Sequence, residues 1–314
     1  MPPGGHRAPP PLALSLLLSL AALAGAAPAP AEIADRLNAV RAANGLPAVT
    51  VDPEWSRGCA EHNAYMRTAG VGHHQDAAAP GASPAGADAG LHGVLSNRPD
   101  AATAFAGSVF HELLLWHPAL RAVGPAENDG HVCVRLDDLG AALPAGAVAT
   151  YPGAGAAGVL PSADIAHEIP ESPADILGID AVYVGQPLLV WTGGPWLRTP
   201  EVLGASLTGP DGPLALGAID GRSPWVGDGQ VVLVPHERYA PGTTSRAEIL
   251  LGDGTRTVRH TWEFTTGDAG LADLDAERAA EEPPVRVTAS AAVGGVGVLA
   301  AGIVGLARRR RRAR

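Results

Sequence analysis

Apolar residues in the first half of the chain recur at helical spacing. Ile33, Leu37 and Val40 share one face, and Gly45 suits the left-handed turn that ends a helix. The stretch "VDPEW" opens a second helix. Asp52 can cap it, Pro53 fits the first helical position, and Glu54 complements the positive end of the helix dipole. Trp55, Cys59 and Met66 lie along one side, His62 sits between them, and Gly70 stops the helix. A histidine so placed is expected to be buried and hydrogen-bonded to backbone rather than to act as a ligand. Asp100 starts a third helix carrying Phe105, Val109 and Phe110. The period then changes: from His131 to Asp137, Val132, Val134 and Leu136 alternate with Cys133, which predicts a strand.

The second half reads differently. "QPLLVWTG", "GASLTGPDGPLALG", "GQVVLVPHERYAPGTTSRAEILLGDGT" and "HTWEFTT" are short β-type runs, and "GPDG" and "GDG" are hairpin turns. Strands at this spacing predict a small β-sandwich. The character of the chain changes between Leu143 and Ser162.

Both ends carry longer apolar runs. Arg7 precedes Leu12 to Leu23, and "AGA" at Ala24 to Ala26 offers small residues for cleavage, so 1–26 reads as a secretory signal. Val287 to Ala307 is uncharged, and its length at 1.5 Å per residue spans about 31 Å, a bilayer core. Arg308 to Arg312 and Arg314 follow at once, and such a cluster stays on the cytoplasmic side. Between sandwich and span, "GDAGLADLDAERAAEEPP" reads as an acidic, solvated stalk over 267–286. The expected topology is a single-pass protein of the cell membrane, with an extracellular N-terminal ectodomain, a span at 287–307 and an Arg-rich tail at 308–314.

Every one of the 22 basic residues is arginine, a coding bias of GC-rich genomes, actinobacterial in type, that says little about function. Setting aside Arg7, Arg286 and the six tail arginines leaves an ectodomain of about −18. That charge argues against nucleic acid and anionic lipid headgroups as partners. Cys59 and Cys133 are the only cysteines, and an even pair in a secreted chain reads as one disulfide. Closing that loop contributes up to roughly 4 kcal/mol in the chain-entropy model. A cysteine-based metal site or nucleophile is the weaker reading, because neither residue has a CxxC partner or a basic neighbourhood.

The run "IADRLNAVRAANGLPAVTVDPEWSRGCAEHNAYMRTAGVGHHQD" resembles the opening of a CAP domain, the superfamily of cysteine-rich secretory, antigen 5 and pathogenesis-related 1 proteins, in its bacterial form. "VFHELLLWHPALRAVG" is similar to the later family stretch in which a histidine is followed by "L.P....VG". "VVLVPHERYAPGTTSRAEI" followed by "WEFTT" resembles the ending of a bacterial Ig-like domain, with Ser245 where that family has Tyr. The resemblance implies an α/β fold: an α-β-α sandwich CAP domain over 32–140, then an all-β Ig-like sandwich over 150–266; the apolar run at 287–307 adds a C-terminal transmembrane helix.

Family members place two histidines and two acidic residues in an open cleft, and some bind zinc or another divalent ion there. On this sequence His74 matches the first cleft histidine best, with His73 one place early, and His111 matches the second. The family's "GEN" falls on Gly90, Leu91 and His92, so Leu91 replaces its acid. No residue matches the second acid. Two imidazoles alone hold a metal weakly. A third ligand from His92, with help from Asp76, Asp88 or Glu112, would make a His74/His92/His111 site suited to zinc; otherwise the cleft has lost its metal. Ser108, Ser96 and Ser83 are the available serines, none in a "GxSxG" elbow. His117 and His131 lack a clear partner and are expected at the surface.

The expected function is therefore a surface-displayed binding protein, without catalysis, for a lipid, wall or protein ligand. Rival readings are a metal-dependent hydrolase and a structural spacer. The topology is checked by protease added to intact cells: the ectodomain should be removed, and its protection would overturn the assignment.

Overall fold

The computed structural model describes residues 27–136, 139, 143–168, 171–194 and 198–269. The signal at 1–26, the span at 287–307 and the tail at 308–314 lie outside the described residues, as does most of the stalk at 267–286. Among the described residues, no helix is long and apolar enough to cross a membrane.

Helix α1 (Pro30–Ala43) buries Ile33 and Leu37. Helix α2 (Pro53–Ala69) is capped by Asp52, whose carboxylate accepts from the Glu54 and Trp55 amides at 2.9 and 3.1 Å. The third helix departs from expectation. Asp100 and Gly107 have positive φ, 68° and 82°, and the chain between them runs in turns. Helix α3 lies earlier, at Pro84–His92, with Ser83 as its cap, and α4 is confined to Val109–Leu115. A left-handed residue interrupts a helix, so the apolar spacing of Phe105 and Val109 could not be one continuous element.

Strands β1 (Thr50–Val51), β2 (Gly93–Ser96), β3 (Ala122–Asn128) and β4 (His131–Leu136) form a sheet in the order β1-β3-β4-β2. Alternation along β4 decides its two faces. Val132 and Val134 pack with Ile33, Leu37, Val109 and Leu115, whereas Cys133 packs with Cys59, Met66 and Ala89. The result is the expected α-β-α sandwich, with α2 and α3 on one side of the sheet and α1 and α4 on the other. A disulfide joins Cys59 of α2 to Cys133 of β4, with Cα atoms 5.3 Å apart.

The second half begins with β5 (Val148–Tyr151), β6 (Ala163–Asp164), α5 (Pro173–Leu177), β7 (Tyr183–Val184) and β8 (Leu188–Thr192). It continues with β9 (Glu201–Gly209), β10 (Gly212–Leu214), β11 (Leu216–Ile219), β12 (Gln230–Pro235), β13 (Thr244–Gly252) and β14 (Thr257–Thr265). Two four-stranded sheets result, β11-β12-β8-β5 and β10-β9-β13-β14. They meet across Leu188, Val190, Val231 and Leu233 on one side and Leu207, Ile249, Leu251, Trp262 and Phe264 on the other.

The opposite face of the first sheet is covered as well. Leu189, Trp191, Val232 and Val234 share a core with Leu37, Leu115 and Trp116. Side chains alternate along a strand, so β8 and β12 feed two cores at once. Their near-continuous apolar runs have this cause. The halves of the chain are therefore packed together, and α4 lies in the seam. Phe110 packs near Trp225, Trp116 stacks on Tyr151 with ring centroids 5.5 Å apart, and His117 meets the edge of Trp191. His117, expected at the surface, is enclosed there because Trp191 covers it. Burial, with Arg41 and Arg121 nearby, pushes its pKa down to about 4.

Glu112 is the polar centre of the seam. It is 1% exposed, and its carboxyl accepts from Gln186 Nε2 at 2.8 Å. Burial outweighs that bond and pushes its pKa up to about 8. The neutral acid is thus favoured in the fold, while the unfolded chain ionises near 4.5. Stability from Glu112 is fully present below pH 4.5 and is lost as pH rises towards 8, by up to about 1.4 kcal/mol per unit. His117 acts in the opposite sense, losing stability as pH falls from 6.5 towards 4. Denaturant midpoints from pH 5 to 9 should fall for the wild type relative to Glu112→Gln. A wild-type-to-variant difference that is flat across this range would refute the buried, protonated Glu112.

Candidate functional site

The segment after α2 is anchored before it reaches the cleft. His62 is fully buried, as expected for it, and donates from Nε2 to the Gly72 carbonyl at 2.9 Å. Its Nδ1 accepts from Gln75 at 3.0 Å, and burial lowers its pKa. Gln75 in turn accepts from the Ser83 amide that leads into α3. His62 is therefore a strut, holding residues 72–75 against α3.

That strut decides which neighbouring histidine turns towards His111. His73 is half-buried and its Nδ1 donates to the Gly90 carbonyl at 2.8 Å. Its ring lies nearly parallel to that of His111, 12° apart with centroids at 6.4 Å. Desolvation, followed by nearby histidines, lowers the His73 pKa and favours the neutral ring. His74, the better sequence match, is exposed. Consecutive residues in an extended segment point to opposite sides, so with His73 turned inward His74 turns out.

His111, in the first turn of α4, stacks on Phe105 with centroids 5.6 Å apart. Its Nδ1 lies 3.0 Å from Glu168 Oε1 and 2.8 Å from Ser108 Oγ. Glu168 belongs to the second half of the chain and its side chain is only 4% exposed. The same Oε1 accepts from the Phe110 and His111 amides, so the carboxylate also closes the start of α4. Its other oxygen is buried without a hydrogen-bond partner among the described residues. No motif marked Glu168. Its one legible trait was being an acid in the seam between two modules, a place that only the fold defines.

The remaining candidates do not join the pair. His92 caps the end of α3, exposed, with its Nδ1 on the Asp88 carbonyl and 3.1 Å from that side chain. Asp88 is further engaged by Arg135, and Asp76 closes a turn through the Ala78 amide. Glu112, one residue from His111, points instead into the seam: successive residues on a helix are about 100° apart, and one of them must face inward. Among the described residues, no group of three or more His, Cys, Asp or Glu is arranged to hold a metal. The proposed His74/His92/His111 cluster is thus replaced by a His73–His111 pair with Glu168 behind it.

Ser108, His111 and Glu168 are the residue types of a hydrolytic triad, but their geometry differs from one. In a triad the serine and the acid bind opposite ring nitrogens, so that one receives a proton while the other is held. Here both contacts fall on Nδ1. Two apolar side chains next to this segment are exposed: Leu91, where the resemblance places an acid, by 39%, and Val71 by 50%. Both sit beside glycines, Gly90 and Gly72, that meet at His62.

With this arrangement in place, the first half of the chain is an α-β-α sandwich carrying a His73–His111 pair. Residues 34–113 match the model of the Cysteine-rich secretory protein family, CAP, so this part of the chain is a CAP domain. No curated protein matches the chain.

Gly90 shows how tightly the groove is built. A Cβ there would lie 2.2 Å from His62 Cε1 and 2.6 Å from both ring nitrogens. Gly90→Ala should therefore destabilise the protein by about 1–3 kcal/mol and displace His62. Thermal unfolding measures the loss; a melting temperature equal to wild type would contradict this packing.

Proposed function

We propose that the chain is a surface-displayed CAP-domain protein, held to the cell membrane by its C-terminal span, that binds an amphipathic, lipid-type ligand without chemistry. The observation that carries this reading is the exposed Leu91, next in the chain to the Gly90 whose carbonyl accepts from His73, together with the exposed Val71 and the His73–His111 pair. Exposed apolar side chains would supply contact area and two imidazoles a small number of polar anchors, the usual division of labour in a ligand site. The Nδ1-only geometry of Ser108 and Glu168 around His111 supports binding over hydrolysis. In binding assays of the full-length protein with a fluorescent fatty acid and a fluorescent sterol, Leu91→Glu should weaken affinity at least tenfold. Equal binding by wild type and variant, or binding of neither probe, would overturn the proposal.

A second reading rests on a separate observation. Nδ1 of His73 and Nδ1 of His111 are both engaged, by the Gly90 carbonyl and by Glu168. That leaves both Nε2 atoms without a hydrogen bond among the described residues, in the way that metal-bound histidines are oriented. The pair fits two positions of a zinc site, and zinc bound there would polarise a ligand oxygen. Elemental analysis should then find a divalent ion that is lost in His73→Ala and His111→Ala but kept in His74→Ala.

A further inference from the structure

We propose that Glu168, outside the segment that matches the CAP family, is the positioning residue that makes the cleft side of His111 a hydrogen-bond acceptor. The inference deepens the reading above, in which His111 faces the ligand, and it rests on that reading for its purpose but not for its test.

The proton count around Glu168 carries it. Oε1 lies 3.0 Å from Ser108 Oγ and 3.0 Å from His111 Nδ1, and it also takes the Phe110 and His111 amides at 2.8 and 3.2 Å. Oε1 is thus the acceptor for two backbone amides and for the Ser108 hydroxyl. The Ser108 proton points to Glu168, and a hydrogen bond between Nδ1 of His111 and the same oxygen needs the proton on Nδ1. The 2.8 Å approach of Ser108 Oγ to Nδ1 is then the second branch of the same N–H. With its proton on Nδ1, a neutral His111 holds a lone pair on Nε2. Without Glu168 the serine hydroxyl would be free to donate to Nδ1. The proton would then sit on Nε2, and the cleft would present a donor in place of an acceptor. One carboxylate from the β-sheet half thus sets what the CAP half offers its ligand.

A role limited to closing the start of α4 would leave the ring tautomer unchanged, so the tautomer is the readout. The full-length protein is labelled with 15N-histidine, and the His111 signals are assigned by their loss in His111→Asn. Long-range 1H–15N spectra at pH 8, without any ligand, then report which nitrogen bears the proton. The expected result is Nδ1–H in wild type and in Ser108→Ala, with a change to predominantly Nε2–H in Glu168→Ala. Nε2–H in the wild type would overturn the proposal, whether or not the variants fold. So would retention of Nδ1–H in Glu168→Ala. Loss of Nδ1–H in Ser108→Ala would assign the control to the serine instead. Since no ligand is present, failure here leaves the binding reading to its own assay, and failure there leaves this result intact.

Discussion

Helix α4, Val109–Leu115, is held in place by charge at both ends and by a buried acid in its middle. Glu168 accepts the amides at its start, where a negative group complements the helix dipole. The buried Arg41 of α1 donates to the Leu115 and His117 carbonyls just past its end, where a positive group does the same. Glu112 bonds across the seam to Gln186. A helix of this length is not stable by itself in water. Its position therefore depends on both halves of the chain, and so does the position of His111.

This dependence joins stability to the proposed binding through one short element. Removing a charged partner from a buried network leaves the other partner unsatisfied, which costs more than the bond itself contributes. The seam carries several such groups, with Trp116, Tyr151, His117 and Trp191 packed around them. Conditions that loosen the contact between the sheets and α4 therefore reach His111 directly. The disulfide, on the far side of the CAP sheet, secures α2 and thus the His62 strut beneath His73.

The fold was largely legible because it rests on local patterns. Asp52 and Pro53 announced α2, and the alternation of Val132, Cys133 and Val134 announced a strand with two different faces. The hairpin turns pointed to a sandwich. The continuous runs "LLVW" and "VVLV" also held a signal, since a strand with one wet face alternates and these do not. They marked the sheet that α4 covers. The third helix was misplaced because apolar spacing does not reveal a left-handed residue such as Asp100.

The site was legible only in part. The sequence alone indicated that Cys59 and Cys133 pair, and its family resemblance pointed to His111 with one of two adjacent histidines and to Leu91 where an acid was expected. It favoured His74, whereas His73 is the one beside His111, since that depends on how His62 and Gly90 hold the segment between them. It could not place Glu112 inward, because its partner there, Gln186, lies 74 residues further along the chain. Nor could it find Glu168, which acquires its role solely by proximity. Hydrophobic period and capping act between neighbours in the chain and are written in it; the proton on a histidine is decided by whichever groups the packed structure brings within 3 Å of it.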